Sequence, residues 1–151
     1  MQQAIYKLKY GNIRALVQPL AGLLRDYLLT YPVSGKILVP VPLHPKRLRE
    51  RGYNQSRLLA RELGNLIGLP VIDDCLLRLR YTSPQVKTST VAERQKNVVG
   101  AFTCRGDRLR DKQVLLIDDV STSGATLDAC ATALKTAGAV SVWGLTLARE
   151  I

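Results

Sequence analysis

Two adjacent carboxylates, Asp118 and Asp119, stand just ahead of the run Ser121-Thr-Ser-Gly-Ala-Thr126. Carboxylates accept hydrogen bonds from vicinal hydroxyls. The run offers hydroxyls and backbone N–H groups where a helix begins, and unpaired donors and the helix dipole favour an anion there. Gly124 lacks the Cβ that would hold a phosphate off the backbone. Together these residue types suit a sugar with free hydroxyls and a phosphate at its end. Taken alone, the run also fits an ordinary strand–turn–helix with an Asp turn and a Thr N-cap.

A second cluster lies upstream, where residues 42–57 read Pro-Leu-His-Pro-Lys-Arg-Leu-Arg-Glu-Arg-Gly-Tyr-Asn-Gln-Ser-Arg. Lys46, Arg47, Arg49 and Arg51 are crowded within it, and guanidinium groups grip phosphate oxygens in pairs. A loop of this kind beside the acid pair would hold a second, more highly charged phosphate group. The competing reading is a solvated charge run. His44, the only histidine, can donate to a phosphate or exchange a proton. Wedged between Leu43 and Pro45, it can equally pack or cap a turn. Arg57 and Arg61 lie four apart, on one helix face.

These residues need elements to position them. Val114 to Ile117 is a short apolar run that reads as a buried parallel strand ending at the acid pair. A helix is expected over 125–137, stopped by Gly138, and a last strand over Val140 to Ala148. Leu16, Val17, Leu20, Leu23, Leu24, Tyr27 and Leu28 recur at helical spacing. Pro19 makes that helix start near Gln18 or kink. Ile37 to Val39 reads as a strand running into Pro40-Val-Pro42. The next helix opens near Asn54 or Ser56, buries Leu58, Leu59, Leu63, Leu66 and Ile67, and stops at Gly68 and Pro70. Residues 80–100 are polar with no sustained apolar period, the mark of a functional or mobile segment, and the polar 80–97 stretch, with Arg94, reads as a lid that closes and excludes water. Strands alternating with helices predict a single α/β domain over residues 1–151, with a mostly parallel central sheet flanked by helices. Ligands of such folds sit beyond the carboxyl ends of the strands. Both clusters lie at such ends. Trp143 is expected in the core, and Tyr53 and Tyr81 are candidates for stacking on a base.

Bulk composition sets bounds on this reading. With 151 residues, 46% of them hydrophobic, the chain can build one core. An excess of 22 Lys and Arg over 12 Asp and Glu gives a net charge of +10, which favours a polyanionic partner: a pyrophosphate-bearing substrate, a nucleic acid, or both. No apolar stretch approaches the ~20 residues that span a bilayer, so membrane insertion is not expected. Residues 1–9 lack the apolar run of a secretory signal, and a cytoplasmic protein is the expectation. Cys75, Cys104 and Cys130 form no C-x-x-C pair, which supports neither a zinc ribbon nor a dithiol redox site. Cys130 shares a helix face with Leu127 and Leu134 and reads as core.

The run Val114 to Thr126 resembles the 5-phosphoribosyl-1-pyrophosphate (PRPP) motif of type I phosphoribosyltransferases. Taken with the wider sequence, the chain resembles the ComF family (competence protein F and its gluconate-utilisation relatives). The matching stretches are Leu8-Lys-Tyr-Gly11, Val39-Pro-Val-Pro-Leu43, Arg51-Gly-Tyr-Asn-Gln-Ser56, Gln85, Glu93-Arg94 with Asn97, Gly100-Ala-Phe102 and Val114 to Thr126. The resemblance implies a type I phosphoribosyltransferase-like fold and a link to natural competence and DNA uptake. It implies Asp118 and Asp119 as catalytic groups on the ribose hydroxyls, directly or through Mg²⁺. Ser121, Thr122, Ser123, Gly124, Ala125 and Thr126 would hold PRPP by its 5-phosphate. Leu43, His44, Lys46, Arg49, Arg51 and Arg94 would hold the pyrophosphate. A strained or cis peptide within 41–43 also belongs to this picture. Family members commonly carry an N-terminal four-cysteine zinc module, and this sequence begins where that module would have ended, so zinc is not expected.

Three functions compete. The first is a PRPP-dependent transferase acting on a nucleobase or related acceptor. The second is a binding module that holds single-stranded DNA or senses PRPP without turnover; the charge suits it, although two carboxylates repel a DNA backbone. The third is an assembly scaffold that has lost its ligand. The sequence leaves open a homo-oligomer and a partner in the competence machinery.

Overall fold

The computed structural model describes residues 1–11, 14–81 and 90–150. Its centre is β4 (Gln113–Ser121), the middle strand of a three-stranded sheet ordered β1-β4-β5. β1 (Ile37–Pro40) pairs with it in parallel, from Ile37 opposite Val114 to Pro40 opposite Ile117. β5 (Ser141–Arg149) pairs in parallel along the other side. Val71 extends the sheet by one parallel bridge to Leu38.

Val114, Leu115, Leu116 and Ile117 are all buried, as a continuous apolar run requires when both sheet faces are covered. Their side chains alternate between the faces. Val114 and Leu116 pack with Cys130 and Leu134 of α6 (Ala125–Thr136). Leu115 and Ile117 pack with Leu8 of α1 (Gln2–Tyr10), Leu20 and Leu24 of α2 (Val17–Thr30) and Leu59 and Leu63 of α4 (Gln55–Ile67). The sheet is therefore a layer between two helical faces, and the same alternation continues into the acid pair.

The helix expected near Gln18 starts at Val17 behind a 3-10 turn over Arg14–Leu16. Pro19 thus falls in the first turn, where its missing N–H is not needed. Asn54 caps α4 and Gly68 ends it in the left-handed region. The strand expected to stop at Ile117 continues to Ser121, because β5 pairs with Asp118, Val120 and Ser121. Trp143 is not core: β5 is the edge strand, and Trp143 is 49% exposed on it.

Two short helices appear where periodicity gave no sign of them. α3 (Pro45–Arg51) occupies the segment expected as a loop. α5 (Val91–Val98) occupies the second half of the polar stretch. Residues 82–89, with Gln85, lie outside the described residues. A separate antiparallel ribbon of β2 (Leu76–Arg78) and β3 (Phe102–Cys104) flanks this stretch. Among the described residues no peptide is cis, and no helix is long and apolar enough to cross a membrane.

Candidate functional site

The carboxyl end of β4 carries the site. Asp118 and Asp119 are consecutive in an extended strand, so their side chains leave on opposite faces. Both are buried. The Asp118 Oδ1 accepts from the Ser56 hydroxyl at 2.9 Å and from the Asp119 amide at 2.9 Å. The Asp119 Oδ2 pairs with the Lys9 ammonium at 3.1 Å and accepts from the Gln55 amide at 3.3 Å. Its Oδ1 accepts from the Val120 amide at 2.8 Å. Burial, and then the neighbouring Asp119 carboxylate, push Asp118 up to about 8.

The segment Gly52-Tyr-Asn-Gln-Ser56 is a hub. Gly52 takes the left-handed conformation that ends α3, with φ 86°. The Tyr53 hydroxyl, buried with its ring, donates to the Leu8 carbonyl; Tyr53 is therefore an anchor for α1 rather than a stacking surface. The Asn54 side chain caps α4 through the Ser56 and Arg57 amides and donates to the Val41 carbonyl at 3.1 Å. Gln55 and Ser56 reach the two acids. One short turn thus ties α1, the end of β1 and the tip of β4 together.

Beyond β4, Gly124 stands at φ 82° as the N-cap of α6. A Cβ there would meet no protein atom within 4 Å, so the left-handed backbone, not crowding, is what requires glycine. Ser123 Oγ accepts from the Ala125 amide at 3.3 Å. Ser121, Thr122, Ser123, Gly124, Ala125 and Thr126 all line one cavity of about 520 Å³ together with Asp118. Lys9, Arg47, Arg78 and Arg94 line it as well, with Asn97, Val98, Val120, Leu127 and Glu150. Four basic side chains against the acids Asp118 and Glu150 give the cavity a mainly cationic lining. Burial, and then the charge of Arg47, hold Arg78 below the usual guanidinium range.

Of the expected pyrophosphate residues, only Arg94 lines this cavity. His44 caps α3, its Nδ1 accepting from the Lys46 amide at 3.1 Å. The Lys46 ammonium stands 4.5 Å from the centre of the Tyr81 ring, and the His44 ring meets the same tyrosine at 5.4 Å. Arg51 donates to Gln55 and covers the Tyr10 ring. Arg49 is exposed and Leu43 half-buried. Arg57 and Arg61 do share a helix face, and both hold Asp73, at 2.8 and 2.9 Å. Burial opposes the charge of Asp73, but the two guanidiniums outweigh it and hold the carboxyl below its usual range.

Sequence reading overlooked Lys9 and Arg78 as cavity residues. Arg78 had no signal, since its ribbon is three residues long on each side. α5 did have one: Thr90 and Glu93 form a reciprocal capping box, legible as Thr-x-x-Glu. That helix puts Arg94 and Asn97, three apart, on one face toward the cavity.

Solved structures share this fold. The purine phosphoribosyltransferase of Pyrococcus horikoshii matches with a TM-score of 0.54 at 20% identity, over 88% of this chain and 72% of that one. The glutamine PRPP amidotransferase of B. subtilis matches with a TM-score of 0.59 at 20% identity, over 87% of this chain and 26% of that one. The fold is that of the type I phosphoribosyltransferases. No family model matches the chain, but whole sequences do. Competence protein F of Haemophilus influenzae is 31% identical over 150 residues, covering 93% of this chain and 65% of its own length. Competence protein ComFC of Bacillus subtilis is 35% identical over 121 residues, 80% of this chain and 47% of its own length. DNA utilization protein YhgH of Escherichia coli is 33% identical over 148 residues, 93% of this chain and 64% of its own length. Over 80–93% of its length the chain is similar to these competence and DNA-utilization proteins. It spans just under two thirds of the H. influenzae and E. coli relatives and about half of the B. subtilis one.

Proposed function

We propose that the chain binds PRPP with Mg²⁺ and transfers its phosphoribosyl group to an acceptor in the service of DNA uptake. The observation that carries this reading is the shared cavity: a buried acid, a hydroxyl-rich turn at a helix start and four cations line one space of about 520 Å³. The turn 121–126 takes the 5-phosphate through its amides and hydroxyls. Asp118 accepts from the ribose hydroxyls. Arg47, Arg78 and Arg94 face the pyrophosphate.

Transfer breaks the bond between ribose C1 and the pyrophosphate oxygen and forms one between C1 and the acceptor's nucleophilic atom. The bonding pair leaves with the pyrophosphate, so positive charge grows on the sugar and negative charge on the departing group. The residues contribute position and a fixed field: Asp118 faces the sugar, and the arginines face the leaving group.

Among the described residues no three His, Cys, Asp or Glu side chains gather into a metal site. Asp118, which lines the cavity, offers the carboxyl oxygen that a hard cation takes. Mg²⁺ would be held on the protein side by Asp118. It would neutralise charge on the leaving group. The test is pyrophosphate release from PRPP across a panel of nucleobases. Release with one of them is expected, and none with any would leave binding without turnover.

A second reading, a holder of single-stranded DNA, is favoured by the outer face of α3. Lys46 and Arg47 lie over Tyr81, and Arg51 over Tyr10, whose ring meets that of Tyr6 at a tilt. Cations interleaved with aromatic rings suit a phosphate strand with exposed bases. DNA binding that weakens steeply with salt would favour this reading.

A further inference from the structure

We infer that the two acids have separate tasks: Asp119 is a positioning residue for Lys9, and Lys9 is the α1-borne cation that meets the pyrophosphate end of the substrate. This rests on the PRPP reading. Asp118 lines the cavity and Asp119 does not, whereas Lys9 does. The Asp119 side chain is 3% exposed, and its oxygens already accept from Lys9, Gln55 and the Val120 amide. A carboxylate so fully engaged is poorly placed to take sugar hydroxyls. The Lys9 side chain is 26% exposed. An ammonium has three donors, so a single bond to Asp119 leaves donors to turn toward a ligand.

Where Lys9 enters decides which end of the substrate it meets. α1 packs on the sheet face shared with α2 and α4, opposite the face that carries α6. The turn that holds the 5-phosphate belongs to α6. The carboxyl-terminal end of α1 is tied instead to the segment that follows β1: Leu8 accepts from Tyr53, and Tyr10 lies under Arg51, 5.6 Å from ring centre to guanidinium. Lys9 therefore enters across the strand tip from the 5-phosphate, on the side of Arg47. The ion pair with the buried Asp119 fixes a long, flexible side chain before any ligand arrives, which lowers the ordering cost of binding.

The test measures affinity of the full chain for three probes: PRPP with Mg²⁺, inorganic pyrophosphate with Mg²⁺, and ribose 5-phosphate. Lys9→Gln is expected to weaken PRPP and pyrophosphate by about 10–100-fold, the loss of one charge-assisted bond, and to leave ribose 5-phosphate unchanged. Lys9→Arg should recover much of the loss. Asp119→Asn should weaken the same two probes, and its effect should not add to that of Lys9→Gln. Lys9→Gln alone strands a buried carboxylate; if it fails to fold, the Lys9→Gln with Asp119→Asn double variant carries the test. Equal losses for all three probes, or no loss, would overturn the inference while leaving PRPP binding standing. If the unaltered chain binds neither PRPP nor ribose 5-phosphate, the PRPP reading falls and this inference with it.

Discussion

Asp118 is held where a carboxylate charge is costly, and that cost is measurable. Its proton leaves at about 8 in the folded chain against an ordinary 3.8. Between those values the folded state binds more protons than the unfolded state, so stability from this group falls as pH rises through the window. Asp118→Asn removes the titration and keeps an oxygen for Ser56 and the Asp119 amide. The ligand-free variant is expected to melt above the parent at pH 8, by at least the ~2–4 °C that 1 kcal/mol produces in a domain of this size. The gap should close toward pH 4. Equal melting at both pH values would contradict the burial argument. At the same scale, Arg78→Ala is expected to weaken PRPP binding by about 10–100-fold, the worth of a charge-assisted contact, which calorimetry can read. The acid pair and the hydroxyl turn were legible in sequence because they are contiguous and because each residue type suits one job. Lys9 and Arg78 were not, since each comes from a distant element and only folding brings it to the strand tip.

The elements that position these groups were legible to different degrees. The apolar run of β4 and the caps of α4 were readable, because burial period and capping chemistry are local. α3 was not: its seven residues, Pro45–Arg51, are mostly charged and bury no face, so no period exists to detect. Its signs were Pro45 at the first helical position and Gly52 at the end. The strand's extension past Ile117 depends on β5 and could not be seen from the run alone. Two predictions belong here. Gly124→Ala is expected to lower stability by about 1–2 kcal/mol, because a Cβ disfavours the left-handed backbone, and to weaken ribose 5-phosphate; denaturant melts and calorimetry check both. Tyr53→Phe removes the hydroxyl that holds α1 and is expected to cost about 1 kcal/mol. Its effect on binding should fall on PRPP more than on ribose 5-phosphate, since α1 carries Lys9.

At the scale of the whole molecule, the net charge of +10 does not distinguish a phosphorylated-sugar site from a nucleic-acid surface, but its distribution separates the two. The cavity at the sheet tip combines cations with a buried acid, which suits a ligand with hydroxyls as well as phosphates. The α3 face combines cations with tyrosines. The parallel sheet sets this division, because it puts Asp118 and the 121–126 turn at the carboxyl end of β4, while α3 lends the cavity Arg47 and sets Lys46 and Arg51 against tyrosines. Raising salt from ~50 to ~200 mM should reduce DNA affinity by orders of magnitude if several phosphates are contacted, and PRPP affinity far less. The most direct measurement is calorimetric titration of PRPP with Mg²⁺ into the parent chain and into the Asp118→Asn with Asp119→Asn double variant. Binding by the parent, and its loss in a variant that still melts cooperatively, is the predicted result. Unchanged affinity in the folded variant would contradict the assignment of Asp118 to the substrate and of Asp119 to holding Lys9.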